Sequence, residues 1–218
     1  MGSSTRRIQQ KIKKIISDSQ NGLDETLPKV INETMKMKKA KQYFGDKDFE
    51  NLINGGLLGI SALNSGSFGK LYDFEYNIDL GKITIKDELK IEQIIEAILD
   101  KIEKNDEIEN ALILTSFKAT MAEIILDNLL SSEAFIKKFM CNLLYSLIME
   151  NINEALIEFY DDIHTNDFRD KVKKFSCDSI ENYMSETIKE YIEHKIELDV
   201  LIDKVTKLNE NMKERDFE

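Results

Sequence analysis

Residues 82–218 contain neither glycine nor proline; all nine glycines lie at or before Gly81, and the one proline is Pro28. These are the two residues that most often interrupt a helix. A sandwich or barrel of the same length would need turn residues every few strands. The chain is therefore expected to be mainly α, a helical bundle with about five long helices after residue 86. Short polar runs such as Asn105-Asp106 and Thr165-Asn166 would separate them.

Apolar spacing places those helices. Asp87–Lys104 sets Ile91, Ile94, Ile95, Ile98 and Ile102 on one stripe, and Glu107–Leu130 does so with Leu114, Phe117, Met121, Ile124 and Ile125. Ser131 or Ser132 is an N-cap for a central helix, with Glu133 in its first turn. Its apolar positions come in pairs, from Phe135/Ile136 to Leu147/Ile148 and on to Ile152, Leu156 and Phe159, a stripe that wraps and needs several neighbours. Another helix begins near Thr165 or Asn166, carrying Phe168, Val172, Phe175, Tyr183, Ile188 and Ile192. Beyond it Tyr191, His194, Leu198, Leu201, Val205, Leu208 and Met212 follow the alternating spacing of a coiled-coil seam. Leu198, Leu201, Val205 and Leu208 are thus candidates for partner binding, and the seam can equally fold back on its own bundle or pair with a second copy.

Before residue 82 the composition changes. Residues 1–43 carry ten Lys or Arg against four acids, in a chain whose net charge is −11. They read as a basic N-terminal arm, partly flexible, with a short amphipathic helix through Ile8, Ile12, Ile15 and Ile16. Residues 44–86 read as a Gly-rich loop, in which Asn54-Gly55-Gly56 and Asn64–Gly69 are loop chemistry, followed by a hairpin-like segment over 72–86. There Tyr72, Phe74, Tyr76, Ile78 and Leu80 alternate with polar residues. Residues 87–218 are the bundle.

Charge and chemistry narrow the function. The arm's Lys36, Lys38, Lys39 and Lys41, followed by Tyr43 and Phe44, form a basic-aromatic cluster suited to nucleic acid, but an acidic body repels a duplex, which disfavours that use. The longest nearly apolar run, Phe139–Met149, is too short for a bilayer, and the first residues have no apolar signal region, so a cytoplasmic protein is expected. Cys141 and Cys177 are expected to be buried reduced thiols. Gly69-Lys70 precedes Leu71 rather than the hydroxyl a phosphate loop requires. The two histidines, His164 and His194, lie outside any nucleophile motif. Asp161 with His164, and Glu190 with His194, give at most a distorted version of a helical di-metal site. No catalytic residue, metal or cofactor is expected, and the chain does not read as an enzyme.

The block Asp87–Glu193, above all Ala119–Ile125 followed by Glu133–Leu156, resembles the C-terminal helical region of QatB proteins, components of the four-gene Qat antiphage defence system. The opening Met1-Gly2-Ser3-Ser4 is also similar, whereas the first segment is short and basic where the family often has a long Gly/Pro-rich one. The resemblance implies a bacterial cytosolic adaptor working with a QueC-like enzyme, an ATPase and a TatD-like nuclease. It further implies a protein substrate: removal of Met1 would free the Gly2 α-amine for the QueC-like enzyme, with Ser3, Ser4, Arg6 and Arg7 threading into that partner. An α-amine with a pKa near ~8 keeps a nucleophilic fraction at neutral pH.

Overall fold

The computed structural model describes residues 7, 10–15, 29–30, 32–36, 38–73, 87–104, 106–156 and 166–208. The labelled helices are α1 (Lys38–Phe44), α2 (Lys47–Asn64), α3 (Phe68–Leu71), α4 (Glu88–Glu103), α5 (Ala111–Leu126), α6 (Ser132–Leu156), α7 (Asn166–Ile192) and α8 (Leu198–Thr206). The protein is a mainly α helical bundle, and its residues group into two compact units, Asp46–Asn142 and Met1–Gly45 with Leu143–Glu218. The predicted hairpin lies outside the described residues apart from Tyr72 and Asp73, which form a turn.

Unit Asp46–Asn142 is organised by α2, and here the expected Gly-rich loop is corrected. Asn54, Gly55, Gly56 and Gly59 sit inside an 18-residue helix. A Cβ at Gly55 would lie 2.2 Å from Ile102 Cδ1, one at Gly56 2.2 Å from Phe135 Cζ, and one at Gly59 2.6 Å from Ile98 Cδ1. The glycines make a groove on the helix surface that receives side chains from α4 and α6. Each costs roughly 1 kcal/mol of helix propensity. Burial of one large apolar side chain, worth about 1.5–3 kcal/mol, offsets that.

The core of this unit is a cluster of fully buried phenylalanines. Phe49 stacks on Phe139 at 5.1 Å and Phe135 on Phe139 at 5.8 Å, while Phe117 meets Phe135 and Phe139 edge-on at 6.0 and 5.8 Å. α4 contributes Ile91, Ile94, Ile95, Ile98 and Leu99, and α5 contributes Ile113, Phe117, Met121, Ile124 and Ile125. One polar chain crosses the core. Thr120 Oγ1 donates to the Ser116 carbonyl at 2.7 Å and accepts from Asn142 Nδ2 at 2.9 Å.

Helix starts are side-chain capped. Asp46 accepts from Asp48 N at 3.0 Å to open α2, Asn110 accepts from Ile113 N at 3.4 Å to open α5, and Ser131 accepts from Ala134 N at 3.1 Å to open α6. Helix stops follow one backbone pattern. Gly66, Asn128 and His194 all take positive φ, of 68°, 52° and 58°. At each the next amide reaches back five residues, as Ser67 N to Ala62 O, Leu129 N to Ile124 O and Lys195 N to Glu190 O, the geometry of a Schellman stop.

The other unit takes the second part of α6, with α7, α8, α1 and the helical residues near the start. α8 packs on α7 and on α1. Its core includes Leu143, Leu144, Leu147, Ile148, Val172, Ile180, Met184 and Ile188, together with Ile12, Val30, Met35 and Phe44. The described part of the basic arm therefore buries an apolar stripe, leaving Arg7, Lys11, Lys14 and Lys29 exposed. The expected continuous C-terminal seam is corrected too. The helix stops at His194, and Leu201, Val205 and Leu208 sit on a separate turn of structure, each fully buried.

Candidate functional site

α4 has two faces. Ile91, Ile94, Ile95, Ile98 and Leu99 face the core, and a set offset by two residues (Gln93, Glu96, Ala97, Asp100, Lys101, Lys104) faces the opposite way, as a period of 3.6 requires. This outer face, with Glu103, forms one wall of an open groove of about 790 Å³ whose other wall is Leu71, Tyr72 and Asp73. A cleft of this size is within the range of ligand-binding sites, ~300–1,000 Å³.

The short α3 holds the second wall in place. Phe68 is buried and stacks on Tyr72 at 4.4 Å. Lys101 Nζ donates to the Leu71 carbonyl at 2.8 Å and stands 4.8 Å from the centre of the Tyr72 ring, a cation–π contact. Burial raises the Tyr72 phenol above its ordinary pKa. Asp73 leaves α3 with φ of 50°, an αL residue that redirects the chain at the groove's edge. Glu96 pairs with Lys118 at 2.6 Å.

A second polar arrangement in the same unit is structural. The buried Asp48 accepts at Oδ2 from Glu109 N at 3.0 Å and Asn110 N at 2.7 Å, fixing the strap before α5. Asn110 Nδ2 donates to Asp46 Oδ2 at 3.3 Å, so the caps of α2 and α5 hold each other. Lys47 and Asn51 both bond Asp106. These hydrogen bonds hold Asp106 below the usual carboxylate range, and the Asp106 carboxylate raises Lys47. Asn32 Oδ1, Glu33 Oε2 and Thr34 Oγ1 are buried without a hydrogen-bond partner. They are successive helical residues, about 100° apart, and do not converge on one point.

The sequence candidates are scattered. Gly2, Ser3, Ser4 and Arg6 lie outside the described residues, and Arg7 is exposed. Leu201, Val205 and Leu208 are spent on the core of their own unit, with Leu198 half-buried, so the proposed partner stripe is not a free surface. Lys36 bonds Glu33 at 2.5 Å, Lys41 is exposed on α1, and Lys38 and Lys39 are helical there. Asp161 and His164 lie outside the described residues, while His194 is exposed at a helix stop; among the described residues no three acids, histidines or cysteines could hold a metal. Both Cys141 and Cys177 are disulfide-bonded, which corrects the reduced-thiol expectation: separation along a sequence carries no information about separation in a packed fold. No described helix is long and apolar enough to cross a membrane.

Sequence reasoning missed the groove. Its signal was the polar face of α4, which reads as an ordinary solvated face until Leu71 and Tyr72 are placed opposite. No family model, curated protein or solved structure matches the chain.

Proposed function

We propose that this chain is a non-enzymatic adaptor subunit of a bacterial antiphage defence complex and a protein substrate of a QueC-like enzyme, which modifies the Gly2 amine after Met1 is removed. The observation that carries the reading is the resemblance of Ala119–Ile125 and Glu133–Leu156 to the helical region of QatB proteins. In this chain those residues are α5 and α6, where Thr120, Met121, Phe135 and Phe139 are buried. A rigid helical body is what an adaptor needs in order to present a terminal segment to a second protein. The exposed Arg7, Lys11 and Lys14 would supply charge for that contact.

Most buried polar side chains in the described helices are engaged structurally, which also favours a scaffold role. Asp48 holds a strap, and Ser116, Thr120, Ser176 and Ser179 each bond a carbonyl one turn earlier. The alternative, a nucleic-acid-associated regulator using the basic residues 6–41, is weakened at Lys36, whose ammonium is already held by Glu33.

The test is intact mass and N-terminal peptide mapping of the protein made in cells together with a QueC-like enzyme, an ATPase and a TatD-like nuclease of one Qat system. A chain lacking Met1 and carrying an adduct on Gly2, absent from Gly2→Pro, is the expected result. An unmodified Gly2 beside an active QueC-like enzyme overturns the substrate reading.

A further inference from the structure

We propose that the groove between α4 and the Leu71–Asp73 wall docks a segment of a partner protein in which lysine or arginine side chains flank an apolar one. The inference goes beyond the adaptor reading, because it requires neither Gly2 nor a QueC-like enzyme.

Three properties of the groove select that chemistry. Its length comes from α4: Gln93 to Lys104 spans about 16 Å at ~1.5 Å per residue, which an extended segment of about five residues matches at ~3.3 Å per residue. Its wall offers an apolar seat, since Leu71 is left 49% exposed beside Tyr72 and Ala97. Its charge is unbalanced once internal pairs are removed. Lys101 is held by the Leu71 carbonyl and the Tyr72 ring, and Glu96 by Lys118. Among the described residues, that leaves Asp73, Asp100 and Glu103 against Lys104 alone.

The surroundings act in the same direction. Residues 46–142 carry 18 acidic and 10 basic side chains, a field that draws a cationic segment in and turns phosphate chains away. Lys104 at one end of the face would set direction, disfavouring a cation there and leaving the Asp73, Asp100 and Glu103 end for it. The apolar side chain of the segment would cover Leu71, where it removes the largest area from water.

The experiment titrates the full chain into a fluorescein-labelled peptide alternating lysine and leucine, followed by fluorescence anisotropy. Saturable binding is expected, weakened about tenfold or more by Asp100→Lys with Glu103→Lys, and also by Leu71→Asp. Glu50→Lys with Glu107→Lys makes the same charge change on exposed residues outside the groove and is expected to weaken binding by less than about threefold. All these positions are exposed, so circular dichroism is expected to be unchanged in each variant. Equal loss in the two charge-reversed pairs overturns the proposal, because it shows a response to overall field alone. So does equal affinity for a peptide alternating glutamate and leucine, or the absence of saturable binding.

Discussion

Gly56 and Phe135 are in contact so close that a Cβ on the first would stand 2.2 Å from Cζ of the second. Phe135 cannot give way, because its ring is fully buried and stacked on Phe139. Gly56→Ala gains about 1 kcal/mol of helix propensity and loses about 1–3 kcal/mol or more to overpacking. A net loss of about 1–2 kcal/mol in urea unfolding is expected. Gly59→Ala meets the far end of Ile98, which can turn aside, so the same methyl there is expected to cost less than about 0.5 kcal/mol.

Removing the Asp48 carboxylate leaves the Glu109 and Asn110 amides without their acceptor. Asp48→Ala is expected to cost about 2–3 kcal/mol, with amide hydrogen exchange at Glu109 and Asn110 accelerated ahead of the α5 core. Asp48→Asn keeps one acceptor oxygen and is expected to lose about half as much.

His194 takes the αL conformation that suits glycine. His194→Gly relieves about 1 kcal/mol of backbone strain and gives part of it back as chain entropy, so a rise of about 1–3 °C in the melting midpoint is expected. His194→Val, β-branched, is expected to lower the midpoint. Calorimetry on the two variants checks both signs.

The Lys47–Asp106 pair has a defined pH signature. Asp106 is depressed in the folded state, so its contribution is present above the unfolded carboxylate value near ~3.9 and is lost as pH falls through the lower folded value. Lys47 is raised, so its contribution is present below about 10.4 and is lost as pH rises through the higher folded value. Both groups are exposed and screened by salt. Asp106→Asn is expected to remove the acid-limb difference from wild type, and about 1 M salt to abolish it, in unfolding curves taken across pH.

Both cysteines are in disulfide linkage, so alkylation of the unfolded, unreduced chain is expected to add nothing and alkylation after reduction to add two groups by mass. Two alkylations without reduction would contradict the structure.

The helices after residue 86 were legible because apolar spacing carried them: Asp87–Lys104 was expected and Glu88–Glu103 is observed, and Ser131 caps α6 as its position suggested. α2 was not legible. Glycines at 55, 56 and 59 read as loop chemistry when propensity is the only guide, and only Ile98, Ile102 and Phe135 explain why a helix keeps them. The stop at His194 was hidden for the converse reason, since a region without glycine must use other residues in αL. The inward face of α7 includes Ser176, Ser179 and Thr187, whose hydroxyls make them look solvent-facing; the two serines satisfy themselves on their own helix. The groove was illegible as well, because it belongs to two segments about 25 residues apart rather than to either pattern.

The Asp48 strap has a kinetic meaning. Its two hydrogen bonds join residues 61 and 62 positions apart. Closing a loop of that length from a disordered chain costs on the order of 3–4 kcal/mol, about what the two bonds return. They therefore cannot nucleate the unit and form only after α2 and α4 have met through Gly55, Gly59, Ile98 and Ile102. A contact made after the barrier slows escape without speeding arrival. Loss of Asp48 should appear almost wholly in the unfolding limb of a chevron plot, making this carboxylate a determinant of the native state's lifetime.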